Sequence, residues 1–297
     1  MMRRKISCLL IGLNLLPLSG LLAANDVGPY YFAFKQLRYN QTSSATPVLH
    51  TDLPYRFTSF ISQAPGGSLT SGTITPPNGG TIHTAQPFEV NNDGSLDFEP
   101  QFATLAALNS NLANGQYSIH VNGVNGTYDA ALTLSGDGYP AEIPQILNTN
   151  FSGGSLVIDP SKPFTVTWNS FADHGANDVV ACVVSDSNDQ MVIFQILPPT
   201  ATSQLIPANT LQPGLSYNVS ITFLRTFDFN TSSIPGSTGY GGYARQTKVN
   251  LSAPHETPDL FAAINGNAHN AGGSIFEYAL DGTLTGEDDG LDRQAEG

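Results

Sequence analysis

Apolar and polar residues alternate with a period of two through most of this 297-residue chain, and that pattern leaves little room for helices. "YYFAFKQLRY" (Tyr30 to Tyr39), "YRFTSFIS" (Tyr55 to Ser62), "QYSIHVNG" (Gln116 to Gly123) and "TYDAALTLS" (Thr127 to Ser135) each read as a strand with one buried face. In the last two, Tyr117, Ile119 and Val121, then Tyr128, Ala130, Leu132 and Leu134, share a face. "VNGVNG" between them marks a hairpin, because Asn-Gly enters left-handed backbone readily. The one helix the pattern allows lies within Phe102 to Leu112.

Gly and two prolines interrupt the alternation at Ser135 to Gln145, and a domain boundary is expected near residue 140. After it come "SLVI", "PFTVTW", "DVVACVVS", "QMVIFQIL", "TSQLIPA", "SYNVSITF" and "QTKVNLS". Seven short strands cannot each bury a face alone, whereas two packed sheets can, so a β-sandwich of about one hundred residues is expected. Phe164, Val166 and Trp168 should point inward from one strand, and Tyr217, Val219, Ile221 and Phe223 from another. The fold class is all-β: two sandwich domains in tandem, over residues 25–140 and 141–254. A turn-rich acidic tail over 255–297 is expected to be flexible or loosely packed, with a local strand in "SIFEYAL".

The N-terminus reads as an export signal over residues 1–24. Arg3, Arg4 and Lys5 precede "CLLIGLNLLPLSGLLA", an apolar core ending in small residues. The mature chain would be secreted, periplasmic or at the cell surface, with no later membrane span. Losing the three cations takes the formal charge from −13 to −16. Such a balance excludes nucleic acid or anionic lipid as general electrostatic partners. Cys8 leaves with the signal, so Cys182 has no disulfide partner. Its setting, "VVACVVS", is that of a buried small hydrophobe.

Two motifs in residues 144–254 resemble fibronectin type III modules. "FTVTW" places Trp168 at the end of an early strand, and "LQPGLSY" keeps Leu211, Pro213 and Tyr217 in a Leu-x-Pro-x-x-x-Tyr spacing. The resemblance implies a seven-stranded sandwich without an inter-sheet disulfide. Pro213 and Gly214 form the sheet-to-sheet turn, Leu211 caps the core, and the Tyr217 hydroxyl returns to upstream backbone. "NLANGQYSIHV" echoes this pattern with a shifted spacing, so the first domain is expected to be a divergent relative.

Chemistry leaves few marks. His50, His83, His120, His174, His255 and His269 have no metal-ligand spacing, and neither a nucleophile elbow nor a phosphate loop is present in the sequence. In "EVNNDGSLDFEP", Glu89, Asn91 and Asp93 fall at alternate positions of a calcium loop, with Gly94 at the turn and Asp97 beyond. Position twelve is Pro100, however, and a polar hairpin is the competing reading. No other cofactor is expected. The connection "TFDFNTSSIPGSTGYGGY" (Thr226 to Tyr243) reads as the longest loop of the sandwich. Its Phe227, Phe229, Tyr240 and Tyr243 are the candidate contacts for a protein or carbohydrate ligand outside the cell, unless they continue the core. Six glycosylation sequons occur, at Asn40, Asn125, Asn150, Asn218, Asn230 and Asn250. The expected function is non-catalytic: structural, adhesive or ligand-binding. Carbohydrate binding through loop aromatics is the alternative. A secreted hydrolase with a site built from distant residues is the second alternative.

Overall fold

The computed structural model describes residues 25–188 and 190–254, with three short strands beyond them: Leu260–Ala263, Ile275–Tyr278 and Leu284–Asp288. These last form an antiparallel meander, and the strand expected in "SIFEYAL" is its middle member. The expected export signal and most of the acidic tail lie outside the described residues.

Thirteen further strands and one helix position the rest. They are β1 (Val27–Asn40), β2 (Tyr55–Gln63), β3 (Leu69–Thr75), β4 (Leu96–Phe98), α1 (Leu105–Asn111), β5 (Gly115–Gly123) and β6 (Thr127–Leu134). Then come β7 (Ser155–Val157), β8 (Phe164–Thr167), β9 (Val179–Asp186), β10 (Met191–Leu197), β11 (Ser203–Ile206), β12 (Leu215–Asn230) and β13 (Thr238–Ala253). Several two-residue ladders fill the edges. The helix starts where Thr104 Oγ1 accepts from Ala107 N at 3.0 Å, an N-cap that satisfies one orphan donor.

One long sheet runs through the molecule in the order β10–β9–β12–β13–β1–β2–β4, ending on Glu89–Val90. Its centre is a parallel pairing of β1 with β13, from Tyr30 opposite Thr238 to Asn40 opposite Lys248. The expected boundary therefore divides two cores but not the sheet. β12 and β13 are 16 residues each and extend beyond the second sandwich into the first.

Both cores lie on the same face of this sheet. Against β1 and β2 packs the smaller sheet β6–β5–β3, burying Tyr31, Phe57, Ile61, Ile74, Tyr117 and Leu132. Against β9, β12 and β13 packs the pair β8–β11, burying Val166, Trp168, Cys182, Val219, Ile221 and Leu251. Odd-numbered residues of β13 serve both, with Tyr243 in the first core and Val249, Leu251 and Ala253 in the second. The segment expected to be an interdomain boundary is tied across this junction. Tyr243 donates its hydroxyl proton to the Gly136 carbonyl, Thr247 donates to that of Pro144, and the Tyr139 ring meets Tyr243 edge-on at 5.0 Å.

The corner of the second sandwich follows the motif. Gln212 N donates to the Tyr217 hydroxyl at 2.8 Å, Gly214 N donates to the Ala253 carbonyl at 2.6 Å, and Leu211 is buried. Gly214, after Pro213, takes left-handed backbone with φ of 81°. Trp168 is buried and its indole N–H donates to the Ala201 carbonyl at 2.9 Å. The echo in the first half has its own tyrosine tie, in which Tyr117 donates to the Ala113 carbonyl at 2.7 Å.

The hairpin after β5 is closed differently from the expectation. Neither Asn125 nor Gly126 is in left-handed backbone. Instead the buried Asp26 carboxylate accepts from Asn125 N at 2.7 Å, Asn125 Nδ2 at 2.8 Å and Ser68 N at 3.0 Å.

Candidate binding site

The other face of the long sheet is concave. Phe60 on β2 and Phe194 on β10 approach to 6.4 Å between ring centroids, although four strands separate theirs. Flat, those strands would stand about 24 Å apart at about 4.8 Å per spacing. Twist and coiling have rolled the sheet into a trough whose lips are β10 on one side and β2 with β4 on the other.

Register grades the trough from end to end. One line across the strands reads Phe229, Tyr240, Phe32, Phe60 and Asp97. A later one reads Val179, Leu224, Ala244, Gln36 and Arg56, and the next reads Ala181, Thr222, Gln246 and Arg38. The first end is an aromatic cluster, with Phe32 at 5.6 Å from Tyr240, 6.2 Å from Phe60 and 6.1 Å from Phe34.

Beside this cluster is an apolar pocket of about 160 Å³, lined by Phe34, Phe60, Phe194, Ile196 and Leu224 among others. A larger polar cleft of about 490 Å³ adjoins it. Arg56, Glu99, Gln246, Phe60, Val183 and Met191 line both, so the two spaces are contiguous. Arg56 forms the partition. Its guanidinium donates twice to Gln36 Oε1, at 2.6 and 2.8 Å, and pairs with Glu99 at 2.9 Å. Arg38, Lys248, Asp93 and Asp97 all line the cleft, so both signs of charge face it. Burial pushes the Asp97 carboxyl up, aided by the Glu99 and Glu89 charges, against the opposing pull of Asn91 and Arg56.

The four loop aromatics do not form a platform. β12 runs to Asn230 and β13 starts at Thr238, so the expected loop shrinks to residues 231–237. Tyr243 is fully buried in the first core and Tyr240 is 8% exposed on the trough floor, where burial and then Tyr30 push its phenol up. Phe229 is 43% exposed and meets Tyr240 edge-on at 5.4 Å. A β-bulge between Thr226 and Asp228 turns Phe229 onto the trough side, while Phe227, 48% exposed, stays on the core side against Tyr243. The glycines that imitate a loop are close-approach positions. A side chain at Gly239 would strike the Tyr31 ring, and one at Gly242 the Arg225 carbonyl.

The segment weighed as a calcium loop forms a polar hairpin. Asp93 Oδ1 accepts from Ser95 N at 3.0 Å and Ser95 Oγ at 2.6 Å, and Asn91 Nδ2 donates to Ser95 Oγ at 3.0 Å. Glu89 sits on an exposed edge strand opposite Asp97. Among the described residues no group of three His, Cys, Asp or Glu side chains is placed to hold a metal ion. The trough aromatics Phe32, Phe34, Phe60 and Phe194 escape a period-two reading because their strands are apolar on both faces. That two-sided pattern was the available signal.

No protein-family model matches the chain, and no curated protein matches it either. Among solved structures it is similar to the BSP domain of a biofilm associated protein, at 15% identity and a TM-score of 0.23, over 78% of this chain and 30% of that one. It is also similar to the FN1–FN3 domains of chicken CNTN1, at 11% identity and 0.22, over 85% and 75%. A two-domain fibronectin type III segment from chicken tenascin aligns at 12% identity and 0.24, over 67% and 92%. A tetra-tandem repeat from the extending region of a large adhesion protein aligns at 14% identity and 0.23, over 86% and 63%.

Proposed function

We propose that this chain is an exported, non-catalytic ligand-binding protein that receives its ligand in the trough of the long sheet. The observation that carries the reading is the unbroken passage from the apolar pocket to the polar cleft on a face that no other described element covers. The aromatics around the pocket otherwise pack against one another, and a small apolar pocket that opens into a polar cleft is the usual form of a small-ligand site. Export is supported by the charged, then apolar, then small-residue order of residues 1–24. Among the described residues no helix is long and apolar enough to cross a membrane. A role at or outside the cell surface, adhesive or ligand-capturing, accords with both.

The test is retention on glycan and peptide arrays by the protein and by Phe194→Asp, which puts a charge at the trough lip. Binding lost in the variant, with an unchanged circular dichroism spectrum, supports the reading. Binding that survives the substitution, or no bound ligand on either array, rejects it.

A further inference from the structure

The two compartments differ too sharply in chemistry to suit a ligand of one polarity, and on the binding role just proposed we infer that the trough takes an amphiphile: a sugar-like, hydroxyl-rich head carrying a short aliphatic chain. The inner pocket offers the chain aromatic and aliphatic walls, with Phe34, Phe60, Phe194 and Leu224 around it. Its volume of about 160 Å³ equals about five water molecules at roughly 30 Å³ each, and a methylene group is of similar size. A chain of about five or six carbons therefore fills it.

The head follows from the cleft. The cleft is lined by cationic donors (Arg38 and Lys248) and carboxylate acceptors (Asp93 and Asp97) together, with the amides Gln246 and Asn91 among them. A carboxylate head would meet the like-charged carboxylates, and an ammonium head the like-charged cations. Hydroxyl groups both donate and accept, so a polyol satisfies both kinds of lining. The Arg56–Glu99 pair sits at the junction, where chain and head join. Phe60, on the lip of the trough, lines both spaces and supplies a flat face for a ring of the head.

Titration calorimetry with methyl, butyl, hexyl and dodecyl β-glucosides, below their micelle concentrations, tests this. Affinity should rise about fourfold per methylene up to hexyl and then level off. Hexanoate and hexylamine should each bind at least tenfold more weakly than hexyl glucoside. Phe194→Asp should flatten the chain-length series, while Phe227→Ala, on the opposite side of the strand, should leave it intact. A series with no chain-length dependence, or one unaltered in Phe194→Asp, overturns the inference. Equal binding of hexanoate or hexylamine overturns the choice of head. Failure of all the glucosides, with an array ligand still lost in Phe194→Asp, removes the amphiphile but leaves the trough as the binding site. Failure of both removes both.

Discussion

Phe60 and Phe194 lie 6.4 Å apart between ring centroids, a contact that bridges the two lips of a trough made from a row of six strands. Phe32 is the hub beneath it, buried and in ring contact with Tyr30, Phe34, Phe60 and Tyr240. Phe32→Ala should cost about 3–4 kcal/mol of stability, as a core cavity does. Urea unfolding monitored by circular dichroism measures it, and a loss below about 1 kcal/mol would mean the cluster is not packed as described.

The Tyr217 corner makes a separable prediction. Tyr217→Phe keeps the ring and removes only the acceptor for Gln212 N. The loss should be about 1 kcal/mol, read as a lower urea midpoint at unchanged slope. Tyr217→Ala should cost several times more, because it also empties part of the second core.

Acid should loosen the first sandwich through Asp26. Burial by itself would raise its pKa, but hydrogen bonds from Ser68, Asn125 and Tyr128 outweigh that and hold it below the ordinary value. A depressed folded pKa stabilises above the unfolded value, and the contribution is lost as pH falls through the folded one. Thermal melts from pH 6 down to pH 2 should show a steeper decline in the native protein than in Asp26→Asn. The variant itself should start less stable, since its amide cannot accept all of these bonds.

Lys35 gives a slope of the same sign at high pH. Its ammonium is fully buried, donates to Asn109 Oδ1 at 2.6 Å and Asn114 Oδ1 at 2.7 Å, and is pushed down to about 8 by burial, with Asp137 opposing. Between about pH 8 and the ordinary lysine value the unfolded chain binds more protons, so stability should rise with pH through this window. Above about pH 10 the trend should reverse, because buried Tyr31, Tyr117 and Tyr243 hold their protons when the unfolded chain releases them. Melting temperatures should peak between these limits, and Lys35→Met should abolish the rise.

Cys182 should be inert. It is fully buried in the second core, and burial alone pushes its thiol up to about 12. Iodoacetamide should leave it unmodified in the folded protein and label it promptly in urea, as read by mass spectrometry. Labelling under native conditions would show that β9 opens locally.

The sequence by itself determined the strands, the two sets of core-facing residues and the tyrosine corner. Each depends on neighbours a few residues away: period-two alternation, turn chemistry, and Leu211, Pro213 and Tyr217 at fixed spacing. Only the tertiary structure decided that β1 joins β13 in parallel, which unites the two halves in one sheet. That pairing spans about two hundred residues and leaves no local mark, since a strand's own pattern says which face is buried but not which strand lies beside it. The same partnership converts "GYGGY" from an apparent loop into ladder, with Gly239 and Gly242 yielding space to Tyr31 and Arg225. It also moves Tyr240 from a supposed platform to the floor of the trough. The one clue within reach was the apolar character of both faces in "YYFAF" and "QMVIFQIL", which announces a second buried surface. Where that surface lies, and that it is concave, followed from the curl of the assembled sheet, which no single strand encodes.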